Sequence, residues 1–106
     1  MSVYTADRGG VHIECDMAYT KYKGEGGYYV PCEITGQVPL ECMAKGLGVS
    51  ARDCAETELV KICRKEEGKL EAVIYVDRCT ARGLTPGELA RRLLTIAELC
   101  ARGVIS

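Results

Sequence analysis

The stretch from Thr85 to Gly103 most limits what this chain can fold into. Thr85 offers a hydroxyl to cap a helix, and Pro86 takes the first helical position, where a missing N–H costs nothing. Glu88, three residues after the cap, reaches back to the Thr85 amide and completes a capping box. Leu89, Leu93, Ile96, Ala97 and Cys100 recur at helical spacing, while Arg91, Arg92, Glu98 and Arg102 point elsewhere. Gly103 supplies a left-handed stop. Such a helix runs roughly 27 Å, and an apolar stripe of that length needs a sheet beneath it.

The preceding chain supplies strands. Val3 to Ala6 is β-prone, and Asp7-Arg8-Gly9-Gly10 has turn chemistry. From Val11, Ile13, Cys15, Met17 and Tyr19 alternate with His12, Glu14, Asp16, Ala18 and Thr20, which predicts a half-buried strand. Lys23 to Gly27 reads as a turn, and Tyr28 to Val38 as a second strand with Val30, Cys32, Ile34 and Val38 on one face. Folding about residues 24–27 sets Tyr22 opposite Tyr29, Tyr19 opposite Cys32, Met17 opposite Ile34 and Ile13 opposite Val38, so the apolar faces coincide. Pro31 cannot donate to a ladder, which points to an edge strand or a bulge.

Pro39 to Lys45 predicts a short helix stopped by Gly46. Ser50 then reads as the cap of a second main helix ending at Gly68, with Ala51, Ala55, Leu59, Ile62 and Cys63 on one face. Glu56, Lys61, Arg64, Lys65, Glu66 and Glu67 form its wet side. Leu70 to Cys79 is the strongest strand and is apolar on both faces, so it belongs centrally or against a second subunit. Residues 78–84 read as a loop into the last helix. The expectation is one α+β domain over residues 1–106: a small antiparallel sheet of about four strands in β-β-β-α-β-α order, with two main helices on one face.

The formal net charge of −1 argues against a nonspecific nucleic-acid binder. No basic segment followed by an apolar run stands at Met1, and no apolar stretch reaches membrane-spanning length, so the reading is soluble and cytoplasmic. Asn is absent, Gln37 is the one Gln, and there are seven Cys. Together these suggest a thermophile, whose intracellular proteins can be disulfide-rich; the alternative is chance depletion in a GC-rich genome.

The cysteines lack the two-to-four-residue spacing of a zinc knuckle or redox pair. Cys15, Cys32, Cys63 and Cys100 fall on apolar faces and are disulfide candidates, or else buried small hydrophobes; their pairing stays open. His12, Glu14 and Asp16 alternate along one strand, with Glu33 expected across from Ala18. One imidazole among carboxylates can bind a divalent metal or do acid–base work, though a solvated sheet face reads the same way. The glycines at 9–10 and 24–27 lack the Lys-Ser/Thr and helix start of a phosphate cradle, and no serine elbow is present. No cofactor is implied.

The hairpin tip carries Tyr19, Lys21, Tyr22, Lys23, Tyr28 and Tyr29. Tyr gives large contact area at low entropic cost, which suits a protein partner; Tyr beside Lys also suits stacked bases and phosphates; a Tyr22/Tyr29 pair that only stabilises the hairpin is the plain alternative. The favoured expectation is a non-enzymatic regulatory module working through protein–protein contacts as a homodimer. The alternatives are an enzyme using His12, Glu14, Asp16 and Glu33, or a nucleic-acid binder using the Tyr/Lys hairpin.

Overall fold

A computed structural model describes residues 3–18, 20–21 and 27–105, with backbone alone at Thr20 and Lys21. The elements in chain order are β1 (Val3–Arg8), β2 (Val11–Asp16), β3 (Thr20–Lys21), β4 (Tyr28–Thr35), α1 (Leu40–Leu47), β5 (Cys54–Glu56), β6 (Val60–Glu66), β7 (Lys69–Tyr75), α2 (Val76–Ala81) and α3 (Pro86–Ala101). Six strands lie side by side in the order β1-β2-β4-β7-β6-β5, every pair antiparallel, and the two-residue β3 also pairs with β4. The protein is therefore α+β, with a larger sheet and a different element order than the four-strand expectation.

The α3 helix forms as its sequence predicts. The Thr85 hydroxyl accepts from the Glu88 amide at 3.2 Å, and the Glu88 carboxylate accepts from the Thr85 amide at 3.3 Å. Leu89, Leu93, Ala97 and Cys100 are buried, joined by Ala90 and Leu94, while Ile96 is half-buried. The helix lies across β1, β2, β4 and β7. α1 packs on β5, β6 and α3, so both helices cover the same face. The core between the layers holds Val11, Ile13, Val30, Ile34, Ile62 and Ile74 from the sheet, with Met43, Leu89, Leu93 and Leu94 from the helices. Each of the larger aliphatic side chains contributes about 1.5–3 kcal/mol on leaving water.

The second main helix does not form. Residues 54–66 make a hairpin instead, because the segment also carries period-2 patterning: Val60 and Ile62 are buried, Lys61 and Cys63 are not. Its turn is closed by Thr57, whose hydroxyl accepts from the amides of Leu59 and Val60, both at 3.1 Å. Gly68, at φ 76°, then turns the chain into β7, a conformation a side chain opposes. Part of the expected loop before α3 is helical, as α2.

The hairpin register differs from expectation by four residues between β2 and β4 and by two between β3 and β4. Ile13 lies opposite Ile34 and Cys15 opposite Cys32, while Tyr29 lies opposite Thr20. An even slip keeps every apolar side chain on its face, so the alternation alone does not distinguish the two registers. Pro31 sits in a central strand, not at an edge. The β2 ladder on β4 stops at Cys32 and the β3 ladder resumes at Tyr29, so Pro31 falls in the gap between them.

Three disulfides staple the fold: Cys15–Cys32, Cys42–Cys100 and Cys54–Cys63. The first and third each join directly opposite residues of neighbouring strands, and the second ties α1 to α3. Cys79 is a buried free thiol. The cytoplasmic expectation is overturned here. A reducing cytosol keeps thiols reduced, whereas three intramolecular disulfides fit an oxidising compartment, such as a secreted or extracellular one. Among the described residues no helix is long and apolar enough to cross a membrane.

Candidate functional site

With both helices on one side, the other face of the sheet has no layer over it among the described residues. Strand alternation decides what this open face carries. β2 contributes His12, Glu14 and Asp16, and β4 contributes Tyr29, Pro31, Glu33 and Thr35. β7 contributes Lys69, Glu71, Val73 and Tyr75, and β6 contributes Lys61 and Cys63.

Glu33 does not lie across from Ala18. It is paired with Glu14 on one side and Glu71 on the other, three carboxylates in one row over three strands. Like charges placed directly opposite destabilise a sheet. Lysines offset the repulsion: Lys65 Nζ donates to Glu33 Oε2 at 2.9 Å, and Lys69 Nζ lies 3.8 Å from Glu33 Oε1. The hydrogen bond from Lys65 holds the Glu33 carboxyl below its ordinary titration range. His12 stands next to this row on β2. Its Nδ1 is 2.9 Å from Asp7 Oδ1, and its Nε2 is 3.7 Å from Glu14 Oε1. The Asp7 hydrogen bond raises the imidazole above its usual value of 6.5, with Glu14 adding to the effect.

A shallow cleft of about 330 Å³ is lined by Val3, Glu14, Asp16, Pro31, Glu33, Lys65 and Glu71, among others. His12 does not line it, so the imidazole and the Glu33 carboxylate do not converge on one point of the cleft. Among the described residues no three His, Cys, Asp or Glu side chains gather to hold a metal ion. Of the sequence constellation, Glu14, Asp16 and Glu33 share this cleft, and His12 stands beside it against Glu14. Asp7 and Glu71, its nearest acidic neighbours, were not singled out, and only the strand register reveals them.

The aromatic corner is only partly as expected. Tyr19, Tyr22 and Lys23 lie outside the described residues, and Lys21 is described only as backbone in β3. Tyr28 is 46% exposed, and its amide donates to Asp77 Oδ2 at 3.3 Å. Tyr29 stands opposite Tyr75 across β4 and β7. Tyr75, which sequence reading left as part of a strand, is 7% exposed and is absent from the core between the layers. Its hydroxyl donates to Glu56 Oε2 at 3.4 Å, and the Arg78 guanidinium lies 4.2 Å from its ring centroid. Arg78 is fixed in turn by a 3.2 Å bond to the Glu58 carbonyl, and Arg82 pairs with the Glu58 carboxylate. Pro31 and Val73, directly opposite each other, continue the apolar surface from this corner across the sheet centre.

Of the cysteines singled out, Cys15 and Cys32 pair with each other beneath the face, on the core side. Cys63 pairs with Cys54 on the open face, and Cys100 pairs with Cys42 between the helices. No family model, curated protein or solved structure matches this chain.

Proposed function

We propose that this protein is a disulfide-stapled, non-enzymatic binding module that holds a protein partner on the open face of its sheet. The observation that carries the reading is the half-buried apolar strip of Pro31, Val73 and Tyr29 across the two central strands, ending at Tyr75, whose ring lies buried beneath Arg78, on the face the helices leave bare. Charged groups of both signs rim the strip, the arrangement of an apolar interface core within a polar border. Tyr and Arg side by side, as in Tyr75 and Arg78, are the residue types that dominate contact energies. The row of Glu14, Glu33 and Glu71 weighs against a nucleic-acid backbone on this face. His12 is held by Asp7 and Glu14 at the edge of the cleft and does not line it, which favours binding over acid–base chemistry.

The test is site-specific photo-cross-linking. A photoreactive phenylalanine analogue replaces Val73 on the open face or Arg91 on the exposed side of α3. Adducts at position 73, competed away by unlabelled protein and missing at position 91, are expected. Equal labelling at both positions, or none at 73, overturns the reading.

A further inference from the structure

We infer that the partner on the open face is a second copy of this chain, packed face to face about a two-fold axis that runs along the strands between β4 and β7. This rests on the binding-module reading above and names its partner.

The argument starts from how charge is distributed over the face. On the β1–β2 side stand Asp7, His12, Glu14 and Asp16; on the β6 side stand Lys61, with Glu56 of β5 directly opposite it, and Lys65, which is paired with Glu33. The apolar Pro31 and Val73 occupy the two middle strands between them. Along the row of Asp16, Pro31, Val73 and Lys61 the face is therefore acidic at one end, apolar in the middle and basic at the other, while the next row holds Glu14, Glu33 and Glu71.

Two in-plane axes bring such a face against a copy of itself. An axis perpendicular to the strands lays β2 over β2 and acid over acid. An axis along the strands exchanges β2 with β6 and β4 with β7. The acidic flank of each copy then meets the basic flank of the other. The strand directions stay aligned, as in ordinary face-to-face sheet packing.

The row through the centre makes the match concrete. Val73 is opposite Pro31 on one side and Lys61 on the other. Asp16, one residue beyond the Cys15–Cys32 pair, lines the same cleft as Pro31. Rotation about the strand-parallel axis sets Asp16 against Lys61 of the second copy and Pro31 against Val73 of the second copy. Lys61 forms no ion pair among the described residues, although Glu56 stands directly opposite it on β5, and its ammonium can reach the Asp16 carboxylate of the second copy. The next row sets Glu33 against Glu71 of the second copy, and each Glu33 brings its own Lys65 and Lys69.

Six strands at about 4.8 Å spacing and about seven residues of length present roughly 600 Å² per copy. Two such faces bury roughly 1,200 Å², at the lower end for specific interfaces, where association is weak, and the test brackets an affinity of about micromolar.

The experiment is sedimentation velocity on the purified, oxidised protein from about 1 to 300 μM, bracketing that affinity. The wild type is expected to pass from monomer to dimer over this range. Asp16→Lys and Lys61→Asp should each weaken the dimer by about tenfold, and the combined Asp16→Lys/Lys61→Asp variant should return to within about threefold of wild type. Asp16 Oδ1 also accepts from the Ala18 amide at 3.0 Å. Asp16→Asn keeps that bond while removing the charge, and it too should weaken association. Monomer throughout, a dimer indifferent to the single changes, or a double variant no better than the singles overturns the inference. If the protein stays monomeric while position 73 cross-links a different protein, the second copy is refuted and the binding-module reading stands. If position 73 cross-links nothing, both fall.

Discussion

Cutting the bridge between α1 and α3 should cost more stability than cutting either bridge within the sheet. Cys42 and Cys100 are 58 residues apart in sequence, Cys15 and Cys32 are 17 apart, and Cys54 and Cys63 are 9 apart. A cross-link restricts the unfolded chain by an entropy that grows with the logarithm of the loop it closes, which gives about 4.2, 3.1 and 2.6 kcal/mol in that order at 25 °C. Both Cys42 and Cys100 are buried, so Cys42→Ala/Cys100→Ala also leaves a small cavity that adds to the loss. At about 4–8 °C per kcal/mol for a chain near this size, Tm should fall by about 20 °C. The assay is urea unfolding of the wild type and of the three double-alanine variants, each with its remaining bridges oxidised. The midpoint should fall furthest for Cys42→Ala/Cys100→Ala. The slope with denaturant should steepen, because the freed unfolded chain exposes more surface. A loss below about 1 kcal/mol, or one smaller than for Cys54→Ala/Cys63→Ala, would refute the loop argument.

Two further outcomes follow from local geometry. Asp7→Asn should bring the His12 titration, followed by NMR of the ring protons, down toward 6.5, since the Asp7 hydrogen bond is the largest cause of its elevation. With a folded value above the unfolded one, the pair's contribution is fully present below pH 6.5 and fades as pH rises through the raised value, so an unchanged titration sinks the assignment. Gly46 lies where α1 meets α3, and a Cβ there would stand 2.5 Å from Ile96 Cγ2. Gly46→Ala should therefore destabilise by about 1–2 kcal/mol in urea despite the better helix propensity of Ala; stabilisation would show that the helices slide apart without cost.

What the sequence disclosed depended on whether a signal was local. The Thr85–Glu88 box and the α3 stripe need only neighbours within a turn or two, and they appear as read. The β2 and β4 alternation was also legible, but register was not, because a slip of four leaves every face unchanged. Residues 50–68 misled for a related reason. Ala55, Leu59 and Ile62 satisfy a helical spacing, while Val60 and Ile62 satisfy a strand, and the deciding groups were the Thr57 hydroxyl and the Cys54–Cys63 pairing. At the candidate site, His12, Glu14, Asp16 and Glu33 were visible as polar alternation. Their neighbours Asp7, Glu71 and Lys65 come from other strands and are found only once the order β1-β2-β4-β7-β6 is known. Tyr75 reads only as part of a strand apolar on both faces, since nothing local says that its side of β7 has no helix over it.

The seventh cysteine bears on how this chain reaches its native bonds. Six thiols can pair in 15 ways, and an extra thiol able to join in raises that to roughly 100. Cys79 lies in α2, directly after β7, and is fully buried, which pushes its thiol above the ordinary range and keeps it protonated. A protonated, enclosed sulfur is a poor attacking group in thiol–disulfide exchange. Oxidation before α2 docks leaves Cys79 free to capture any of the other six, whereas oxidation afterwards proceeds with that competitor withdrawn. Burial of Cys79 in this six-residue helix thus withdraws the seventh thiol from competition with the three native bridges in the folded protein.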